Sequence, residues 1–416
     1  MANSVITMVD WEFVCNLTEK LAELGKNHRN APHIHEVEPF RHYFNKDGTL
    51  KDDELDERDG KFTRREILAR YLLVSVVLDQ GPDIVGVREL LKNVTTSLYR
   101  EEIRIFHRPL DFFKELGISI DEILSEHESI KEIRAEDWAR ENKTNPSKYC
   151  LFFAQSMQGM IATKQVLDYA IHRWGVPLCL PLLLEKDLES EQRKSSQPLI
   201  DYLEQYKSAE IMAQQLKDHE RYGLGSAIGD KACHLFAKMY VSVFKLVKHK
   251  VRDSGWTDFS YEVPFDSNAG RVLFRTGFLL EFASLKEYEE WNVIQRGKGK
   301  GGVNYIRVTN IRGKKTNRIP RNSEIFSDYI RVVQEHLKLG RQRAIEIQRI
   351  PNLLIYKLSE RGKEYSVADF DDGLMYIGTN YCYNHDKPKC KECPLNGLCK
   401  GYKAVSYTHL TLPTKA

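Results

Sequence analysis

Cys382-Tyr-Asn-His-Asp-Lys-Pro-Lys-Cys390-Lys-Glu-Cys393-Pro-Leu-Asn-Gly-Leu-Cys399 gathers four cysteines at the spacing C-x7-C-x2-C-x5-C. The other four, Cys15, Cys150, Cys179 and Cys233, are scattered and have no framework spacing. Thiolates this close in sequence commonly share a metal centre, because one loop can then aim four sulfurs at a single point. Zinc ribbons pair two C-x2-C knuckles, and only one is present here. A single short pair flanked by two longer steps favours a four-iron cluster, with zinc as the alternative and disulfides as a third.

Outward from that loop, the chain reads as a soluble, mainly helical protein. It has 416 residues, 42% of them hydrophobic and 29% charged, enough for two domains or for one enlarged by insertions. Its apolar runs fall short of the ~20 residues that span a bilayer, and no secretory h-region is seen. The scattered cysteines fit a reducing cytoplasm. A net charge of +3 is too small to diagnose nucleic-acid binding, so the distribution of charge matters more.

Residues 8–26 have helical spacing, with Trp11, Val14, Leu17, Leu21 and Leu24 near one face. The acidic stretch Asn45 to Glu57 superficially resembles a calcium loop. Setting Gly48 at the loop glycine puts Tyr43 where the first carboxylate belongs, so it reads as a solvated linker. Thr63-Arg-Arg-Glu66 predicts a capping box opening a helix. That helix, Ile67 to Leu78, is apolar nearly all round and therefore buried, and Asp79-Gln80-Gly81-Pro82-Asp83 ends it in a turn. Further helices are expected over 149–174 and 200–222. His172 and Trp174 in that region read as structural.

Tyr222-Gly-Leu-Gly225-Ser-Ala-Ile-Gly229-Asp-Lys231 is a glycine-bearing turn between two helices. Such a turn lets backbone approach a phosphate, and the helix that follows offers free N–H groups and a positive dipole end. Lys231 is then either a phosphate-binding side chain or, with its amine partly desolvated, a nucleophile. Asp266, in Val263-Pro-Phe-Asp266-Ser-Asn-Ala-Gly-Arg271-Val, precedes a helix and is a natural N-cap. Residues 291–321 change character: two β-prone runs flank a glycine–lysine tip, predicting a hairpin. Arg296, Lys298, Lys300, Arg307, Arg312, Lys314, Lys315, Arg318 and Arg321 follow one another there without an intervening acid. Beside Trp291 and Tyr305 this suggests a flap contacting phosphates, the alternative being a solvated charge run. Lys387, Lys389, Lys391 and Lys400 decorate the cysteine loop in the same sense. Helical segments are expected over 324–358 and 367–378.

Leu374-Met-Tyr-Ile-Gly378-Thr-Asn-Tyr381-Cys382, running into the loop, and Cys399-Lys-Gly-Tyr402, closing it, resemble the carboxyl-terminal cluster of endonuclease III and adenine-glycosylase type DNA glycosylases. The first cysteine spacing is slightly longer here. Ile228-Gly229-Asp-Lys231 resembles the Val-Gly-x-Lys part of that superfamily's helix–hairpin–helix, with Ser226 and Ala227 replacing its usual proline and first glycine. Asp266 with Arg271-Val272 resembles its aspartate segment, after a longer interval than usual.

The resemblance implies an all-α, two-lobed helix–hairpin–helix glycosylase fold with a four-cysteine iron–sulfur loop and a small inserted β-hairpin. Residues 1–61 would be an extension partly joining the cluster lobe. Residues 62–265 would form a helical bundle carrying the hairpin at 212–240, and 266–403 the cluster lobe with its basic insertion at 291–321. The tail 404–416 is set aside as non-native. The family's roles then fall on Asp266 as the charge-stabilising carboxylate and Lys231 as the nucleophilic lysine. Gln80 would be the wedge filling the gap left by an extruded base, and Gly225 and Gly229 the phosphate-binding turn. Cys382, Cys390, Cys393 and Cys399 would hold a 4Fe-4S cluster.

The expected partner is double-stranded DNA, engaged by a monomer in the cytoplasm with no membrane involved. The large insertions look like those of the phage-related branch resembling α-glutamyl/putrescinyl-thymine pyrophosphorylases. That points to excision of a hypermodified pyrimidine, such as glucosylated hydroxymethylcytosine, in anti-phage defence. The alternatives are a repair glycosylase with abasic-site lyase activity on damaged bases, and a non-catalytic DNA-binding module.

Overall fold

The computed structural model describes residues 9–32, 34–38, 40–51, 55, 60–79, 84–115, 175–247, 255–290, 293–298, 304–308, 331–332, 349–383 and 388–405. The expected helix at 149–174, His172, Trp174, Cys150, Gln80 and the greater part of 291–321 lie outside these residues. In chain order the helices begin with α1 (Trp11–Asn27), α2 (Arg64–Leu78), α3 (Ile84–Arg100) and α4 (Pro109–Glu115). Then come α5 (Val176–Ser190), α6 (Pro198–Glu204), α7 (Ala209–Asp218), α8 (Asp230–Lys238), α9 (Ser267–Arg275) and α10 (Leu285–Glu290). A hairpin of β1 (Ile294–Lys298) and β2 (Asn304–Val308) follows, before α11 (Ile350–Glu360), α12 (Val367–Asn380) and α13 (Lys400–Val405). The protein is thus mostly helical, and no described helix is long and apolar enough to cross a membrane.

Two compact units divide the chain: residues 31–248 form one, and 1–30 with 249–416 the other. The sequence reading had drawn its boundaries at 61/62 and 265/266. Aromatic packing explains the first difference. Phe40 stands edge-on to Tyr71 at 4.7 Å between ring centres, and the Tyr43 hydroxyl meets His107 Nε2 at 3.2 Å. Residues 34–43 therefore belong with the bundle. The second difference follows from Asn352, whose amide donates to the carbonyls of Phe259 (3.0 Å) and Tyr261 and so ties 259–261 to α11.

In the bundle unit α2 is the central rod, buried along all fifteen of its residues. It packs against α5, α6 and α8, so its near-continuous apolar sequence has a partner on each side. Thr63 caps it as predicted, accepting from the Glu66 N–H at 3.2 Å. Glu66 does not return the bond, and the capping box is incomplete. Its carboxylate instead accepts from Arg70 Nε (2.8 Å) and from the N–H groups of Leu199 and Ile200 (both 3.1 Å) at the start of α6. A buried carboxylate needs donors, and the free N–H groups of a helix terminus supply two. Arg70 also bonds Glu185 (3.1 Å) and the Phe106 carbonyl (3.1 Å), tying α2, α5 and the 106 loop together. The expected single helix over 200–222 is in fact α6 and α7, because Ser208 restarts the helix by capping the Ile211 N–H at 3.2 Å.

In the other unit α1 and α12 cross at two glycines. A Cβ on Gly25 would overlap the Asp369 carbonyl, and one on Gly373 would overlap the Leu21 carbonyl. Val14, Leu17 and Leu21 fill the seam, as the 8–26 periodicity predicts. Arg29 closes it by pairing with Asp369 and, at 2.7 Å, with the fully buried Asp372. α12 begins with a reciprocal capping box of Ser366 and Asp369 and runs directly to the cysteine loop. The hairpin forms where it is predicted. β1 and β2 pair antiparallel, with Ile294 opposite Val308 and Lys298 opposite Asn304, and β2 runs beside α9.

Candidate functional site

Asp266 is the N-cap of α9. Its Oδ1 accepts from the backbone N–H groups of Asn268 and Ala269, both at 2.8 Å, which fixes the half-exposed carboxylate at the positive end of the helix. Behind it, Gly378 of α12 allows the first turn of α9 to dock. A Cβ there would overlap the Asn268 side chain. Arg271 explains the arginine of the D-x4-R-V pattern. Its buried guanidinium donates to the carbonyls of Cys382 (2.6 Å) and Gly378 (3.1 Å) and to the Asn268 amide oxygen. One turn on, Arg275 donates to the Tyr383 carbonyl at 3.0 Å and approaches Cys382 Sγ at 3.7 Å.

The far end of α9 meets the other end of the cysteine loop. The Lys400 N–H donates to the Thr276 carbonyl at 3.0 Å, and the Cys399 thiol reaches the Arg275 carbonyl at 3.5 Å. Gly277, with φ +93°, turns the chain away while leaving room for the Lys400 stem. The second half of the helix that holds Asp266 is therefore fastened to both ends of the loop, to the first cysteine through Arg271 and Arg275 and to the last through the Arg275 carbonyl. Leu395, fully buried, anchors the loop between them.

All four loop cysteines are free thiols of intermediate exposure. Burial pushes Cys393 up to about 12 and Cys399 up to about 11, and raises Cys390; neighbouring thiols of the loop add to each shift. Those thiols thus influence one another electrostatically. The donor set suits a soft cationic centre, whose positive charge reverses that penalty and stabilises thiolates. The Tyr402 N–H, 3.3 Å from Cys399 Sγ, supplies the kind of backbone donor that supports a ligating sulfur. Among the described residues, no three His, Cys, Asp or Glu side chains are already drawn together as a site for a single ion.

Lys231 belongs to the bundle unit. α7 and α8 pack as a helical hairpin, and the connection turns through Gly225 at φ +55°. Gly229 is the exposed N-cap of α8, with open space where a Cβ would stand, so the first N–H groups of the helix are approachable. Lys217 Nζ holds Asp230 at 3.1 Å across the turn. Lys231, half-buried in the first turn of α8, lies within electrostatic reach of Asp79. Asp79 is the C-cap of α2, only 4% exposed, and meets Arg88 at 3.4 Å. Burial raises its carboxyl above the usual range, against the opposing pull of Arg88, Lys231 and Lys238.

Sequence reading took Asp79 as turn composition and missed this cluster, since its partners come from α3 and α8. Arg296 and Lys298 fall on β1 and Arg307 on β2, beside α9. Gln80, Lys300, Lys314, Lys315 and Lys387 lie outside the described residues. Lys389 and Lys391 are exposed on the loop, whereas Lys400 is committed internally to Glu281 (2.6 Å) and Asp10 (3.2 Å). No protein-family model, curated protein or solved structure matches the chain.

Proposed function

We propose that this protein is a DNA N-glycosylase that excises an extruded modified base and leaves an abasic site. The observation that carries the reading is the fastening of α9. The helix whose N-cap is Asp266 is tied along its second half to both ends of the four-cysteine loop, by Arg271 and Arg275 to residues 382–383 and by Arg275 and Thr276 to residues 399–400. In this reading the loop's cofactor, a 4Fe-4S cluster held by Cys382, Cys390, Cys393 and Cys399, supplies shape rather than reactivity. Its rigid frame serves two tasks, presenting Lys389 and Lys391 to phosphates and holding the Asp266 carboxylate still.

The Asp266 carboxylate stabilises the positive charge that develops on the deoxyribose as its bond to the base breaks. Water then adds at the sugar carbon and the base leaves with the proton it requires. In this reading Lys231 would be the nucleophile that forms a Schiff base with an abasic sugar, which would add strand cleavage. The basic hairpin, with Arg296, Lys298 and Arg307, and the α7–α8 turn at Gly225 and Gly229 bind the duplex through its phosphates. The substrate class we favour is a hypermodified pyrimidine such as glucosylated hydroxymethylcytosine, in defence against phage.

Purified protein incubated with plain, hydroxymethylated and glucosylated phage DNA tests all of this by counting abasic sites. Sites confined to a modified DNA, and lost in Asp266→Asn, are expected. Efficient release of ordinary damaged bases with phage DNA untouched would make it a repair enzyme. Salt-sensitive binding that survives Asp266→Asn, with no base released from any DNA, would make it a binding module.

A further inference from the structure

We propose that His28, Tyr376 and Tyr381 form a stacking surface for unpaired bases of single-stranded DNA, at the rim of the cysteine loop. His28 is the C-cap of α1, and its N–H donates to the Gly25 carbonyl at 3.2 Å. Its imidazole lies face to face on the Tyr376 ring of α12, with ring centres 3.8 Å apart and planes within 2°. Each of the two residues stands one helical turn past the glycine at which its helix crosses the other, so the close approach at Gly25 and Gly373 brings the rings together. Tyr381 follows as the C-cap of α12, its ring inclined at 69° to Tyr376 and the two hydroxyls 3.3 Å apart.

The seam between α1 and α12 does not need this stack. It is already closed by the glycine crossing and by Arg29 on Asp369 and Asp372. His28 is exposed, and Tyr376 and Tyr381 are half-buried. Because Tyr376 covers one face of the imidazole, the exposure of His28 falls on its other face and its edge. A ring held in place by a second ring is ordered in advance, so a base laid on it gains the π contact with little further loss of side-chain freedom. Charge is supplied alongside. The Lys389 N–H donates to the Tyr381 carbonyl at 2.9 Å, which seats that exposed lysine next to the stack, and the exposed Lys391 follows. Glu392 is the acid between them and Cys393. Cations beside an open ring suit a strand in which phosphates alternate with flat bases. All of these residues belong to the unit formed by 1–30 and 249–416. The inference shares with the proposed function the premise that the partner is DNA, but it requires no base release.

The test compares, by fluorescence anisotropy on the full-length protein, a short thymidine oligomer with an abasic oligomer of the same length. The two carry the same phosphates, and only the first carries bases. The parent should bind the thymidine oligomer about tenfold more tightly, the scale of one stacked base. His28→Ala should bind both at the abasic level, and His28→Phe should restore the difference. His28→Leu keeps an apolar cover on Tyr376 without a π-face; it should behave like His28→Ala and serves if that variant fails to fold. Lys389→Gln should weaken both oligomers alike and leave their ratio unchanged. No binding, equal affinities in the parent, or a ratio that survives His28→Ala and His28→Leu overturns the stacking surface. A ratio lost in those variants, in a protein that releases no base from any DNA, would leave the surface standing and sink the glycosylase reading alone. Base release without any such ratio would do the reverse.

Discussion

The bundle unit and the cysteine-loop unit bury charge in opposite ways. Around α2 the charges complete one another: Glu66 satisfies Arg70 and two N–H groups of α6, and Glu204 accepts from Arg65 and from the Tyr240 hydroxyl. Around α9 the arginines are spent on main-chain carbonyls of the loop, and thiols raised by burial and by one another remain. One interior is closed by its own side chains, with Asp79 Oδ1 an exception at the end of α2. The other would be completed by the cluster proposed for its loop.

The largest expected effect follows from that contrast. If the loop holds the proposed cluster, stripping it by chelation under reducing conditions, or Cys393→Ser, should release the loop and with it the seat of α9. Structural metal sites of this kind contribute on the order of 10 kcal/mol. Limited proteolysis of the full chain should then cut within 382–399 while α2, α5 and α6 resist. Equal loss of protection in both units would abolish the distinction.

Next is the bundle's own buried charge. Glu66→Ala strands Arg70 and leaves two α6 N–H groups unsatisfied, so urea unfolding should show a loss of about 3–5 kcal/mol. If the proposed cluster is bound, the change should leave iron content and the visible spectrum untouched. Arg271→Met ranks third. It deprives the Cys382 and Gly378 carbonyls of charged donors, each such bond contributing about 1.5–3 kcal/mol. Here the spectrum should change along with stability, because the first ligand of the loop loses its tether.

How much of this was legible follows from where the signals sit in the chain. The four-cysteine spacing stands out in the sequence because its thiols lie close together along the chain, whereas the seating of that loop on α9 joins residues far apart in sequence and shows only in the packing. α1 and α2 were readable because their apolar positions repeat with the helix. Arg271 was visible as a pattern, yet its job depends on three acceptors about 110 residues downstream or one turn away. Asp79 was invisible for a sharper reason. An aspartate after a helix has the same local appearance whether it faces water or lies buried against an arginine of the next helix, and only the packing separates the two.

The smallest stability effect decides the most about function. Asparagine caps a helix about as well as aspartate does, whereas alanine in place of an Asp cap costs about 1 kcal/mol. Asp266→Asn should therefore unfold at nearly the same denaturant concentration as the parent, and Asp266→Ala should be about 1 kcal/mol weaker. If the carboxylate serves only as a cap, base release should follow stability: intact in the Asn variant and mildly reduced in the Ala variant. If its charge stabilises the departing sugar, both variants lose release to the same degree although their stabilities differ. Both roles use the same two N–H bonds at 2.8 Å. In the proposed role, a carboxylate locked by its own helix could not swing away as charge develops, so the cap would be what pre-organises it.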